Sequence, residues 1–137
     1  MRFANWYRRL VVLVMTTVGG TGLLWFVLHD IAAQEPGDMQ HYALVMHGIS
    51  SAGILIIFGS ALPLHVPVAW RWRRNMFSGI GLIGAIALLG VTGLMLYYLG
   101  EDGRWLARWM HVVVGLASLV VAPWHLIRGA RWRRRDR

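Results

Sequence analysis

Four stretches of mainly apolar residues, about 10–28, 41–64, 77–99 and 105–127, alternate with short polar connections along the chain. Each is close to the ~20 residues that a helix needs to cross the hydrocarbon core of a bilayer. The pattern predicts an all-α protein: a transmembrane four-helix bundle, with residues 1–137 as a single domain. The first run follows a basic start and precedes Ala32–Ala33, as a secretory signal would. A signal's apolar region is usually ~7–15 residues, however, and this run is longer, so it reads as a retained span. The connections differ in kind. Residues 30–38 are acidic and contain the breaker Pro36–Gly37; VAWRWRRN after Pro67 is basic and aromatic; Gly100–Gly103 is a tight turn with Glu101 and Asp102.

Charge gives the spans a direction. The net charge is +8, carried by fourteen Arg with no Lys. Arg2, Arg8, Arg9, Arg71, Arg73, Arg74 and the six from Arg128 to Arg137 lie at the two ends and in the middle connection. The other two connections carry Asp and Glu, with Arg104 and Arg108 as exceptions. The positive-inside rule then predicts both termini in the cytoplasm. Trp6, Tyr7, Trp70, Trp72, Trp124 and Trp132 fit the same boundary as interfacial anchors. This distribution accounts for the basic excess without nucleic acid, and membrane lipid is the expected surrounding. The chain has no cysteine, which excludes disulfides, iron–sulfur clusters, thiolate ligation and covalent haem attachment.

Histidine is the candidate chemistry. His111 and His125 stand 14 residues apart in the fourth run, a spacing that returns to nearly the same helical face about 21 Å further along the axis. Gly115, Ser118 and Ala122 keep that face small between them. His47 and His65 stand 18 residues apart in the second run, which runs in the same direction as the fourth. Imidazole is a strong axial ligand for haem iron, and a ring in hydrocarbon is a functional candidate by default. The spacing therefore predicts two haem b sites, one held by His47 with His111 and one by His65 with His125. The 18-residue gap rises about 6 Å more than the 14-residue one, which a bend or unwinding at Pro63 would absorb. Arg108 and Arg128 lie one turn from His111 and His125 and suit haem propionates, or else snorkel to the interface. Zinc is a weaker reading, because no two histidines are at helical ligand spacing. His29 and His41, beside the acidic connection, read as rings bonded to backbone, water or headgroup, with a quinol contact or proton relay as the alternative.

The segments HGISSAGILIIFGSALPLH, RRNMFSG, LLGVTGLMLYYLGEDGR and HVVVGLASLVVAPWHLIRG resemble a family of small bacterial four-span proteins, similar in layout to the four-helix di-haem cytochrome b group. The resemblance covers about residues 41–130. It implies His47, His65, His111 and His125 as iron ligands, exchange of electrons with a quinone and a redox partner subunit (on the periplasmic side), and a multi-pass location in the bacterial inner membrane. The expected function is electron transfer as a subunit of an oxidoreductase complex. The alternatives are a cofactor-free scaffold or assembly subunit, and a transporter, which normally wants carboxylates inside the spans.

Overall fold

The computed structural model describes residues 5–71 and 76–135 and, within them, the side chains of all but residues 5, 64, 65 and 130–135. Arg2, Trp72, Arg73, Arg74 and Arg137 lie outside the described residues, as do the side chains of His65, Trp132 and the arginines from Arg131 on. Helix α1 spans Asn5–Phe26 and passes into a π-helical segment, Val27–Ile31. Helices α2, α3 and α4 follow at Asp38–Arg71, Met76–Tyr98 and Glu101–Arg135. All the described regular structure is helical. The all-α, four-helix transmembrane class holds, and four stretches are long and apolar enough to cross a membrane: Trp6–Ile31, Asp38–Pro63, Met76–Tyr98 and Glu101–Gly129.

Hydropathy marked the membrane but not the helix ends. At ~1.5 Å per residue, α2 and α4 are each about 50 Å long, well beyond a ~30 Å hydrocarbon core. Their extensions are the Trp- and Arg-rich segments, which form helix readily once an apolar span has nucleated it. Helix α2 also runs through Pro63 and Pro67 to Arg71 without interruption. Of the bend or unwinding considered at Pro63, unwinding does not occur.

The chain divides into two compact units, Met1–Ala61 and Leu62–Arg137. In the first, the π-helical segment closes with Ala32 N–H donating to Val27 O at 2.8 Å and Gln34 N–H to Leu28 O at 3.0 Å. Ala33 then takes a left-handed φ of 48° to turn the chain. Gln40, buried, fixes the entry to α2. Its side-chain oxygen accepts from Gly37 N–H at 3.1 Å, and its amide donates to Glu35 O at 3.3 Å. That is a glutamine reaching back over its helix start, as in a capping box.

In the second unit, α3 and α4 form a hairpin about a two-residue turn. Arg104 sits in the first turn of α4 and returns to α3: its guanidinium donates to Leu99 O at 3.2 Å, placing a cation at a helix C-terminus. Glu101 and Asp102 occupy the N-terminal turn of α4, where acidic groups meet the positive end of the helix dipole.

Polarity is inverted relative to a water-soluble protein. Among the described residues only Ala43, Ala107, Ala122, Gln40, Ser50 and Thr92 are buried, and three of these six are polar. Large apolar side chains point outward: Phe77 is 96% exposed, Ile56 73% and Val120 69%. An apolar exterior around small and polar interior residues is what a hydrocarbon solvent selects.

Candidate functional site

Few groups inside the spans can do chemistry. All six acidic residues, Asp30, Glu35, Asp38, Glu101, Asp102 and Asp136, sit at or beyond the span ends. What remains is hydroxyls and imidazoles. Most hydroxyls are satisfied by the carbonyl one turn back: Thr16 donates to Val12 O at 2.8 Å, Ser50 to Met46 O at 2.6 Å and Ser118 to Val114 O at 2.7 Å. In hydrocarbon, where water offers no alternative, that is the nearest acceptor.

A different arrangement holds at three places. The sequence contains three hydroxyl–glycine dipeptides, Thr21–Gly22, Ser78–Gly79 and Thr92–Gly93. Each receives a histidine from the helix that follows. In the first unit His47 of α2 meets α1: its Nδ1 lies 2.9 Å from Val18 O and 3.5 Å from Thr21 Oγ1. A carbonyl can only accept, so this Nδ1 carries the proton. A Cβ at Gly22 would stand 2.8 Å from His47 Cε1, so the ring occupies the space that glycine leaves.

In the α3–α4 hairpin, Thr92 Oγ1 lies 2.9 Å from His111 Nδ1, and Ser78 Oγ lies 3.0 Å from His125 Nδ1. Here the rings lie over Gly93 and Gly79 with more room, Cε1 being 3.6 Å from where a Cβ would sit in each case. Thr92 is 1% exposed. Ser78 and Thr92 are 14 residues apart, as are His111 and His125. Equal spacing on two antiparallel helices brings both pairs into register at once. The levels differ by about 21 Å along the axis.

Other candidate residues lie against aromatic rings. Arg108 Cζ lies 5.5 Å from the ring centroid of Trp109, and Arg128 Cζ lies 5.6 Å from that of Trp124. Both are cation–π distances. His29 stacks on Trp25 within and before the π-helical segment, with centroids 4.4 Å apart, and exposed His41 meets Tyr42 edge-on at 5.7 Å. The backbone at His65 is helical.

Comparison with known proteins supplies one further finding. The chain is 29% identical over 115 residues to the fluoride-specific ion channel FluC of Paramagnetospirillum magneticum (strain ATCC 700264 / AMB-1). The alignment covers 83% of this chain and 88% of the relative. No family model matches the chain. No solved structure matches it either. The multi-pass inner-membrane location read from the sequence stands.

The haem reading does not stand. The relative is an ion channel rather than a cytochrome b. Among the described residues there is no group of three or more His, Cys, Asp or Glu that could hold a metal ion. Two haems b on His47, His111, His65 and His125 are therefore withdrawn as an expectation, together with the resemblance to di-haem cytochromes, the electron-transfer function, the quinone and the oxidoreductase assignment. The propionate role of Arg108 and Arg128 goes with them, and nothing supports the scaffold alternative. The physical reason lies in the hairpin. The 14-residue interval matches a second 14-residue interval on α3, and each ring rests directly on a glycine of that helix.

Sequence reasoning followed the histidines and overlooked the hydroxyl–glycine dipeptides that face them. The signal was present: only three Ser–Gly or Thr–Gly dipeptides occur in the chain, two of them at the histidine spacing.

Proposed function

We propose that this chain is a membrane permeation protein for fluoride-class small anions. The observation that carries the reading is the likeness to a fluoride-specific ion channel along most of both chains. The charge pattern supports it. An anion pathway needs no carboxylate in the membrane and benefits from a positive field, and here the acidic residues stay at the span ends while the net charge is +8. Lack of in-span carboxylates argues against a proton or cation relay, but it favours an anion route. The hydroxyl–imidazole pairs are the polar groups available along that route. The arginine asymmetry supports both termini in the cytoplasm.

The test is direct. Purified protein is reconstituted into liposomes loaded with potassium fluoride, valinomycin is added so that potassium can leave with the anion, and external fluoride is read with a selective electrode. The expected result is fluoride loss well above that of protein-free vesicles, with little loss when chloride replaces fluoride. Folded, incorporated protein that adds nothing to the protein-free rate would overturn the reading.

A further inference from the structure

One end of the α3–α4 hairpin carries charge that the chain does not balance. The contact between Ser78 and His125 fixes the register there: Met76 opens α3 two residues outside Ser78, and Arg128 lies three residues outside His125. The segments that leave the hairpin at this level, 71–75 and 128–137, contain nine Arg and a single acidic residue, Asp136. Arg71, Arg73 and Arg74 are within five residues of Met76, a reach of at most about 18 Å. The other carboxylates of this unit, Glu101 and Asp102, begin α4 at its opposite end, about 40 Å away along the axis. Like charges gathered at one end repel, so their counter-charge has to come from outside the chain.

The side chains at this end indicate the kind of anion. Trp70 and Trp124 are 60% and 58% exposed, amphipathic rings of the sort that seat at the headgroup level of a bilayer. Arg71 and Arg128 are exposed as well. Arg128 lays its guanidinium over the Trp124 ring, with Cζ 5.6 Å from the centroid. Such a contact holds the cation by its charge and leaves the N–H fork to an oxygen acceptor. Helix α4 continues to Arg135, so Trp124, Arg128, Arg131 and Arg135 recur at i, i+4, i+7 and i+11 along one face. Every cation is Arg and none is Lys, and Arg is the residue whose fork matches two oxygens of one phosphate. At the depth of an interfacial tryptophan, the abundant phosphate is that of a phospholipid. A zwitterionic headgroup brings its own cation to that phosphate; an anionic headgroup leaves it uncompensated.

We propose that the arginine-rich end of the hairpin, with Arg128, Arg131 and Arg135 as its central stripe, is a binding surface for anionic phospholipid of the phosphatidylglycerol class. The headgroup phosphates supply the counter-charge that the chain lacks. Clusters of four to eight basic residues just beyond a transmembrane helix recognise anionic lipid on the same grounds. The assignment goes beyond the fluoride reading and does not depend on it.

Lipid competition tests it on the intact protein. The full chain is reconstituted into phosphatidylcholine bilayers that carry a fixed fraction of brominated phosphatidylglycerol or of brominated phosphatidylcholine, and quenching of tryptophan emission is read. Phosphatidylglycerol is expected to quench more strongly, with about a fivefold preference, the factor for one basic residue beside an anionic headgroup. The preference should fall toward unity as salt is raised. Equal quenching by the two lipids at low salt would overturn the proposal, and this reading needs no variant. The triple variant Arg128→Gln, Arg131→Gln, Arg135→Gln then locates the surface. It is expected to lose most of the preference, whereas Arg104→Gln, at the other end of α4, keeps it. A folded triple variant with the parent's preference, or an equal loss in Arg104→Gln, would overturn the assignment to this end of the hairpin.

Discussion

The two units use one device with different tolerances. In the first, His47 is held by a backbone carbonyl and fills its glycine's place so closely that a methyl group would collide with it. In the hairpin, His111 and His125 are held by side-chain hydroxyls and rest on glycines at ordinary contact distance. A ring tied to the backbone depends on the glycine and is nearly indifferent to the neighbouring hydroxyl. A ring tied to a hydroxyl depends on that hydroxyl and is nearly indifferent to the glycine. The same dipeptide thus divides its work differently at the two places.

Substitutions can break or sharpen this contrast. Gly22→Ala is expected to cost most, about 1–3 kcal/mol, because the ring must leave Val18 O to make room. A lower unfolding midpoint in detergent checks it, and a midpoint within error of the parent would mean the ring moves freely. Thr92→Val comes next, at about 0.6–1.7 kcal/mol, the range for a lost interhelical hydrogen bond in a membrane. Gly93→Ala and Gly79→Ala should lie within about 0.5 kcal/mol of the parent, since alanine fits and favours helix. Thr21→Val should be smallest, a few tenths of a kcal/mol, because His47 keeps its carbonyl partner. Equal costs for Thr92→Val and Thr21→Val, measured by the same unfolding assay, would erase the distinction between the units.

Much of this fold was legible in the chain. The four spans, the tight turn at Gly100 and the common face of His111 and His125 all follow from run length and helical period. The partners of those histidines did not follow. Spacing on one helix gives heights along an axis and says nothing of what stands opposite, so a 14-residue interval fits stacked cofactors and a paired helix equally well. The deciding residues, Ser78 and Thr92, are small and lie in a glycine-rich apolar run with no charge to mark them. The unwinding considered at Pro63 fails for a related reason. A proline removes one donor and crowds one carbonyl, but a helix carrying an apolar span on one side and an Arg–Trp extension on the other continues through it.

Among the described residues, three alanines are the only apolar side chains shielded from the surroundings. Oil-drop collapse therefore contributes little to holding these helices to one another, and the lipid does the work that a greasy centre does in aqueous folds. Any melting point measured for this protein belongs jointly to the polypeptide and its detergent or bilayer. Changing the amphiphile should shift that value as much as changing a residue does, and comparisons among variants carry meaning only within one solvent.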